Sequence, residues 1–413
     1  MGKIERFFYN LLKKHPKIKN FFRNLYQFLN VIIFRPKKID IKNEYILKEN
    51  SFFGFHDKSP FSYDNSLLLT HKLDKDIKWG LPKKNTDISV GYYYGESYSS
   101  YKEIDKTNAW NYQQGSMLQW VNKTEVIYNL YDSVKNKHVS KIYNISEEKY
   151  RFINRPVGAV SPCGNYAISY SFERLRVGME GYGYANGVDP DDNNDIPLEG
   201  LFLINLNSNT LEEIITIKEL ISTECLVEGF HFFTHVQFSP NSESIIFFHR
   251  IKQKQKRLIT KMYAMNLQSK QIYKFPTFDM VSHVFWKNND QVIGFANTEE
   301  GDGFYLFDIK KNKYERINVN NLNVDGHPYV SKNGKLMLVD TYPNKKRLQK
   351  LFLYNFETSN SIKLASFYSP FKFKEIMRCD LHPRFSHDDN LVSIDTSFSG
   401  VRSTMILRLN EEV

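Results

Sequence analysis

The chain has 413 residues, 41% of them hydrophobic and 25% charged, so a globular, core-forming protein is expected. Its three cysteines, Cys163, Cys225 and Cys379, lie far apart with no CxxC pair, which argues against a disulfide framework and a thiolate zinc site and fits a reducing compartment. The net charge of +10 is uneven: residues 1–40 hold ten Lys and Arg against Glu5 and Asp40, while the rest is nearly neutral, a pattern that suits a surface anchor and not a nucleic-acid-binding body.

Residues 1–40 come first in chain order. Ile4, Phe7, Phe8, Leu11 and Leu12 repeat at helical spacing, and after Pro16 so do Ile18, Phe21, Phe22, Leu25, Phe28, Leu29, Ile32 and Ile33. Lys13, Lys14, Lys17, Lys19 and Arg23 interleave with them. Polar residues interrupt the run, so a transmembrane helix is not expected, and the small-residue cleavage site of a signal peptide is missing. The pattern predicts a basic amphipathic helix pair on an anionic membrane surface. A helical arm packed on the body or on a partner would show the same periodicity.

From residue 41 to 413 short β-rich runs alternate with Asn, Asp and Gly turns, and 211–221 is the main helical exception. Seven segments share one form, an apolar anchor, a polar turn and an apolar strand. They are FSYDNSLLLTH from Phe61, WVNKTEVIYNL from Trp120, VSPCGNYAISY from Val160, FSPNSESIIFF from Phe238, WKNNDQVIGFA from Trp286, VSKNGKLMLVD from Val330 and FSHDDNLVSID from Phe385. Each reads as the first hairpin of a four-stranded meander, and seven such units predict an all-β, seven-bladed β-propeller. Residues 178–199, rich in Gly, Asp and Asn, read as a long loop on one face. The content of 32 Phe and 26 Tyr suits both propeller strands and sugar-binding surfaces.

Aligned on the anchors, the residue three places earlier is Lys58, Met117, Val157, His235, His283, His327 and His382. Four consecutive repeats carry His at one position. In a propeller the first strand of each blade lines the channel, so these imidazoles should converge and suit metal binding or acid/base work. A row of polar ties between blades is the structural alternative. Ten places after the anchor stand Asp340 and Asp395, whose carboxylates suit a place near the histidines or a turn cap. His56, Arg174, Arg176, Arg378, Arg384 and Arg402 complete a set of cations for an anionic sugar, with Arg384, Arg174 and His235 the candidates for catalysis.

These same residues carry a family resemblance. "THVQFSP", "SHVFW", "DGHPYVSKNGKLMLVDTYP" and "LHPRFSHDDNLVSIDTS" resemble the oligogalacturonate lyases and their seven-bladed propeller relatives, most clearly over 230–410. The resemblance implies β-elimination on uronic-acid oligosaccharides, with a divalent metal such as Mn²⁺ or Ca²⁺ neutralising the uronate carboxylate and a basic side chain taking the C5 proton. Carried onto this chain, His283, His327 and His382 would be the metal side. The family's last blade typically reads His-Pro-His, whereas here it is His382-Pro383-Arg384, so Arg384 could meet the carboxylate directly. "GFHDKSPFS", "NYQQGSMLQW", "RLRVGMEGYGY" and "RCDLHPRFS" are similar to propellers of bacterial surface-polysaccharide loci, implying a protein on the cytoplasmic side of the inner membrane.

Three readings follow. The first is a lyase-like enzyme on uronic-acid-containing surface polysaccharide. The second is a non-catalytic propeller that binds glycan or scaffolds its synthesis. The third is a glycoside hydrolase or transferase using Asp340 and Asp395 as acid and base. Nucleic acid is not an expected partner, and no Walker or Rossmann glycine pattern occurs.

Overall fold

The computed structural model describes residues 16–74, 80–190, 199–222, 227–254, 258–317 and 324–409. The first apolar repeat of the tail, and Cys225, lie outside them. The chain opens with helix α1 (Pro16–Phe34), then strands β1 (Ile39–Ile41) and β2 (Tyr45–Glu49). The strands form seven sheets, the first five threaded in chain order from inner to outer strand and the last two taking their outermost strand from β1 and β2.

The first is β3 (Ser51–Phe52), β4 (Leu68–Lys72), β5 (Ile88–Tyr94) and β6 (Ser100–Thr107); the second is β7 (Gln119–Trp120), β8 (Glu125–Asp132), β9 (Lys137–Asn144) and β10 (Lys149–Ile153). The third holds β11 (Ala159–Val160), β12 (Tyr166–Ser169), β13 (Gly200–Asn205) and β14 (Thr210–Thr216), with helix α2 (Phe172–Gly178) between β12 and β13 and helix α3 (Ile217–Ser222) after β14. The fourth is β15 (Phe230–Phe238), β16 (Ser244–Lys252), β17 (Leu258–Asn266) and β18 (Ile272–Lys274); the fifth is β19 (Val281–Trp286), β20 (Gln291–Thr298), β21 (Gly301–Asp308) and β22 (Lys313–Arg316). The sixth joins β23 (Pro328–Val330), β24 (Leu336–Asp340), β25 (Leu348–Asn355) and β26 (Asn360–Tyr368) to β1 as a fifth strand. The seventh has β27 (Arg384–Phe385), β28 (Leu391–Thr396) and β29 (Ser403–Arg408), and its outer strand is β2. The protein is thus an all-β seven-bladed propeller whose last blade is completed from the N-terminal side. Tyr45–Glu49 pairs with β29 and removes the open edge that an unclosed ring would present.

The seven sequence segments are the inner hairpins, and side chains explain why they repeat. In five of them a serine hydroxyl accepts the N–H of the residue five places on: Leu67 to Ser62, Tyr166 to Ser161, Ser244 to Ser239, Leu336 to Ser331 and Leu391 to Ser386, at 2.9–3.0 Å. The two tryptophan blades use Asn instead: Asn122 accepts from Thr124 and Glu125, and Asn288 from Asp290 and Gln291. These bonds satisfy turn amides that water would otherwise have to reach. Apolar residues on alternate strand positions fill the space between blades, as with Ile246, Phe248, Trp286 and Val292 between the fourth and fifth.

Two local expectations change. The stretch 211–221 divides between strand β14 and helix Ile217–Ser222, and the long loop expected over 178–199 is led into by α2, whose Ser171 hydroxyl accepts the Arg174 N–H at 3.1 Å.

Candidate functional site

The histidine column converges as the repeat alignment expects. Neighbouring inner strands touch, and the rings of His283 and His327 lie 3.9 Å apart between centroids, His327 and His382 4.3 Å, and His235 and His283 6.5 Å. His56 adds a fifth ring, 5.2 Å from His327 and 5.7 Å from His283. At the centre stands Phe55, whose ring is 4.6 Å from His56, 4.9 Å from His235 and 5.2 Å from His382.

Local backbone irregularity turns these side chains inward. The β15–β16 ladder shifts register between Thr234 and Gln237, where His235 has φ +54°, and the β19–β20 ladder shifts between Val281 and Val284, around His283. His382 has φ +44°. A left-handed conformation costs a non-glycine residue on the order of 1 kcal/mol or more, and bulges of this kind re-aim side chains at functional sites.

Every ring is held at Nδ1. His56 donates from Nδ1 to the Pro328 carbonyl at 2.9 Å, and His382 to the Gly54 carbonyl at 2.7 Å. His327 donates to Asp340 Oδ1 at 2.8 Å. His283 Nδ1 lies 3.0 Å from the Ser282 hydroxyl and 3.3 Å from Asp325 Oδ1, and His235 Nδ1 lies 2.9 Å from the Thr234 hydroxyl. The Nε2 atoms of His56 and His382 are buried with no partner among the described residues. Anchoring at Nδ1 with Nε2 left for a ligand is how second-sphere groups prepare metal-binding histidines.

Four of the five titration directions agree with neutral ligands, and His327 is the exception. Burial holds His56, His235 and His382 well below the usual histidine value, and burial with the His327 charge lowers His283. His327 is also pulled down by burial, but the Asp340 carboxylate outweighs this and its net shift is upward. Nitrogen and carboxylate donors of His327, Asp380 and His382 lie within 4.8 Å of one another. An orphaned imidazole nitrogen, anchored rings and a nearby carboxylate fit a divalent cation.

A cleft of about 490 Å³ opens beside the cluster, lined by His235, His283, Arg250, Arg378, Tyr182, Tyr342 and Asp325 among others. Arg378 forks onto Asp380 at 2.6 and 2.7 Å and its guanidinium lies 4.5 Å from the Tyr342 ring centroid. Arg250 is buried, its Nε has no partner among the described residues, and burial lowers its pKa to about 10.

The other nominated residues do not line the cleft, although Asp340 stands beside the histidines as expected. Arg384 is fully buried and does not line the cleft: Nε donates to the Phe55 carbonyl at 3.1 Å, and Nη2 donates to the Gly54 carbonyl and to Asp395 Oδ2, the latter at 2.9 Å. Asp395 in turn accepts the N–H groups of Phe53 and Gly54 at 3.0 Å each. Asp340 receives the N–H of His327 at 2.8 Å and of His382 at 3.1 Å. Both carboxylates therefore position backbone and ring, and neither lines the cleft. Arg402 donates to the carbonyls of Tyr112, Met377 and Arg378, and so supports the segment that carries Arg378. Arg174 grips the His231 carbonyl at 2.9 and 2.8 Å, and Arg176 ties the Tyr184 and Asn186 carbonyls to Asp189. Neither joins the histidines.

Sequence reading missed Phe55, Arg250, Tyr182, Tyr342, Asp325 and Asp380. Two had a usable signal: Asp380 stands within "RCDLHPR" and Asp325 within "DGHP", each two residues before a column histidine. Arg250 lies on the second strand of the His235 hairpin, opposite Phe232, and lines the cleft with that ring.

No family model matches the chain, and no curated protein matches its sequence. Among solved structures, an oligogalacturonate lyase in complex with manganese superposes with a TM-score of 0.63 at 12% identity, covering 90% of this chain and 99% of that one. A Vibrio parahaemolyticus oligogalacturonate lyase gives 0.60 at 13% identity with the same coverage. The tricorn protease gives 0.51 at 10% identity, over 88% of this chain and 34% of that one. At these identities the likeness is one of architecture: the chain has the seven-bladed propeller fold of the oligogalacturonate lyases.

Proposed function

We propose that the protein acts on an anionic, uronic-acid-containing surface glycan by metal-assisted β-elimination, on the cytoplasmic side of the membrane where such glycans are assembled. The observation that carries this reading is five buried histidines, each anchored at Nδ1, beside a cleft lined by two arginines. His327 and His382 would hold the ion together with Asp380, with His283 the further candidate ligand and Asp340 and Asp325 orienting two of the rings. When bound, a divalent cation neutralises the uronate carboxylate and stabilises the charge that develops when C5 loses its proton.

Arg378, His235, Tyr182 and Tyr342 bind and orient the sugar: a guanidinium for acidic groups, and ring faces for the pyranose. Arg250 is the candidate base. Burial shifts its pKa downward, the direction such a role requires, and its guanidinium stands in the cleft with His235 and His283. In the elimination the C5 proton passes to the base, its electron pair forms the C4–C5 double bond, and the C4–O bond breaks. The leaving oxygen takes up a proton. Asp340 and Asp395 are already committed to internal bonds, so an acid–base carboxylate pair has no support in this geometry.

The test is incubation with a panel of polyuronates and uronate-containing capsular glycans in Mn²⁺. New ultraviolet absorbance from an unsaturated uronate is the expected result. Arg250→Lys should lower kcat about 100-fold or more while Mn²⁺ binding persists. Binding of the same glycans with no new chromophore and no reducing ends would favour a non-catalytic propeller.

A further inference from the structure

Helix α1 docks on the propeller by its polar side. Gln27 and Asn30 are each 7% exposed, whereas Phe21 is 63%, Phe22 51%, Leu29 48%, Ile32 53%, Ile33 71% and Phe34 52% exposed. A helix that covered a core would show the reverse. The contacts with the body are polar or at one edge: Gln27 Nε2 donates to the Asn344 carbonyl at 3.0 Å, Arg347 Nη1 to Gln27 Oε1 at 3.4 Å, and the Phe28 ring meets Phe371 at 6.0 Å. The periodicity seen in the sequence is real, but the apolar stripe faces outward.

Charge says what covers it. No acidic residue occurs from 16 to 38, while Arg23, Arg35, Lys37, Lys38 and Lys345 are exposed around the stripe. Lys346 Nζ lies 4.0 Å from the Phe34 ring centroid. A second copy of the chain would bring two basic rims together, and nucleic acid has no use for an apolar face. An anionic lipid surface accepts both parts, the apolar stripe among the acyl chains and the cations at the headgroups. No helix among the described residues is long and apolar enough to cross a membrane, so α1 would lie in its plane.

The helix is also placed beside the cleft. Asn344 and Arg347 share the β24–β25 connection with Tyr342, and Phe371 shares the β26–β27 connection with Arg378. We propose that α1 seats the propeller on an anionic membrane with the mouth of the cleft beside the lipid headgroups, where it meets membrane-held glycan. This goes beyond the chemistry proposed above and stands or falls without it.

Flotation of the full chain with vesicles, in the absence of any sugar, tests the inference. Binding is expected to phosphatidylcholine vesicles containing phosphatidylglycerol, weakening as salt rises. Because Ile32 and Ile33 are exposed, the Ile32→Glu, Ile33→Glu double variant should keep its melting temperature yet lose at least about tenfold in partitioning. Equal partitioning of the double variant would overturn the proposal. So would absence of vesicle binding together with a dimer in light scattering that the same variant dissociates.

Discussion

Arg384 shows how a residue can be found in sequence and given the wrong neighbour. It follows His382 and Pro383, and from spacing alone it belongs with the site's cations. In the fold its guanidinium turns back onto Gly54, Phe55 and Asp395 and fixes the loop that carries Phe55 and His56. Arg384→Met should therefore cost stability, about 3–5 kcal/mol, because Asp395 is left as a buried unpaired charge. Chemical denaturation measures this; an unchanged midpoint with a selective loss of turnover would instead return Arg384 to the chemistry. His71 supplies a second test. Its Nε2 accepts the Ser116 N–H at 3.1 Å, and burial lowers its pKa to about 4. The unfolded chain then binds this proton at higher pH than the folded chain. Its contribution to stability is complete above about pH 6.5 and is lost as pH falls toward 4, a change of about 3 kcal/mol. Urea unfolding across that range should show it, and His71→Leu, weaker at neutral pH, should lose that part of the slope. The histidines were legible because one residue type recurs at one repeat position. Arg250 and Tyr342 were not, since no repeat marks them and only the folded chain brings them to the cleft.

At the level of elements, the turn chemistry made the blades readable. Ser and Asn at fixed offsets close all seven inner hairpins, so the repeat in the sequence is a repeat of hydrogen bonds. What the pattern could not give was closure. β1 and β2 look like ordinary short β runs, and only the sheet pairing shows that one extends the sixth blade and the other completes the seventh. Removing residues 1–38 should leave cooperative unfolding and the far-ultraviolet dichroism intact. Removing 1–50 deletes β2 and bares the edge of β29, and should give a much lower melting temperature or aggregation. Equal stability of the two truncations would show that the ring does not depend on this strand. Helix α1 illustrates the limit of periodicity: the apolar stripe was legible, but which way it faces depends on Gln27 finding Asn344 and Arg347.

Over the whole molecule, a rigid ring brings five histidines from far-apart segments to one point and sets a charged, aromatic cleft next to them. The strands position the rings, the bulges aim them, and Asp340, Asp325 and the backbone carbonyls choose which nitrogen is left free. The proposed chemistry requires a divalent cation among these rings. Anomalous diffraction at the manganese edge, from crystals grown with Mn²⁺, tests it most directly. A single strong peak among His283, His327 and His382 is expected, absent in the His283→Ala, His327→Ala double variant. No peak at saturating Mn²⁺, or a peak away from these rings, would contradict it.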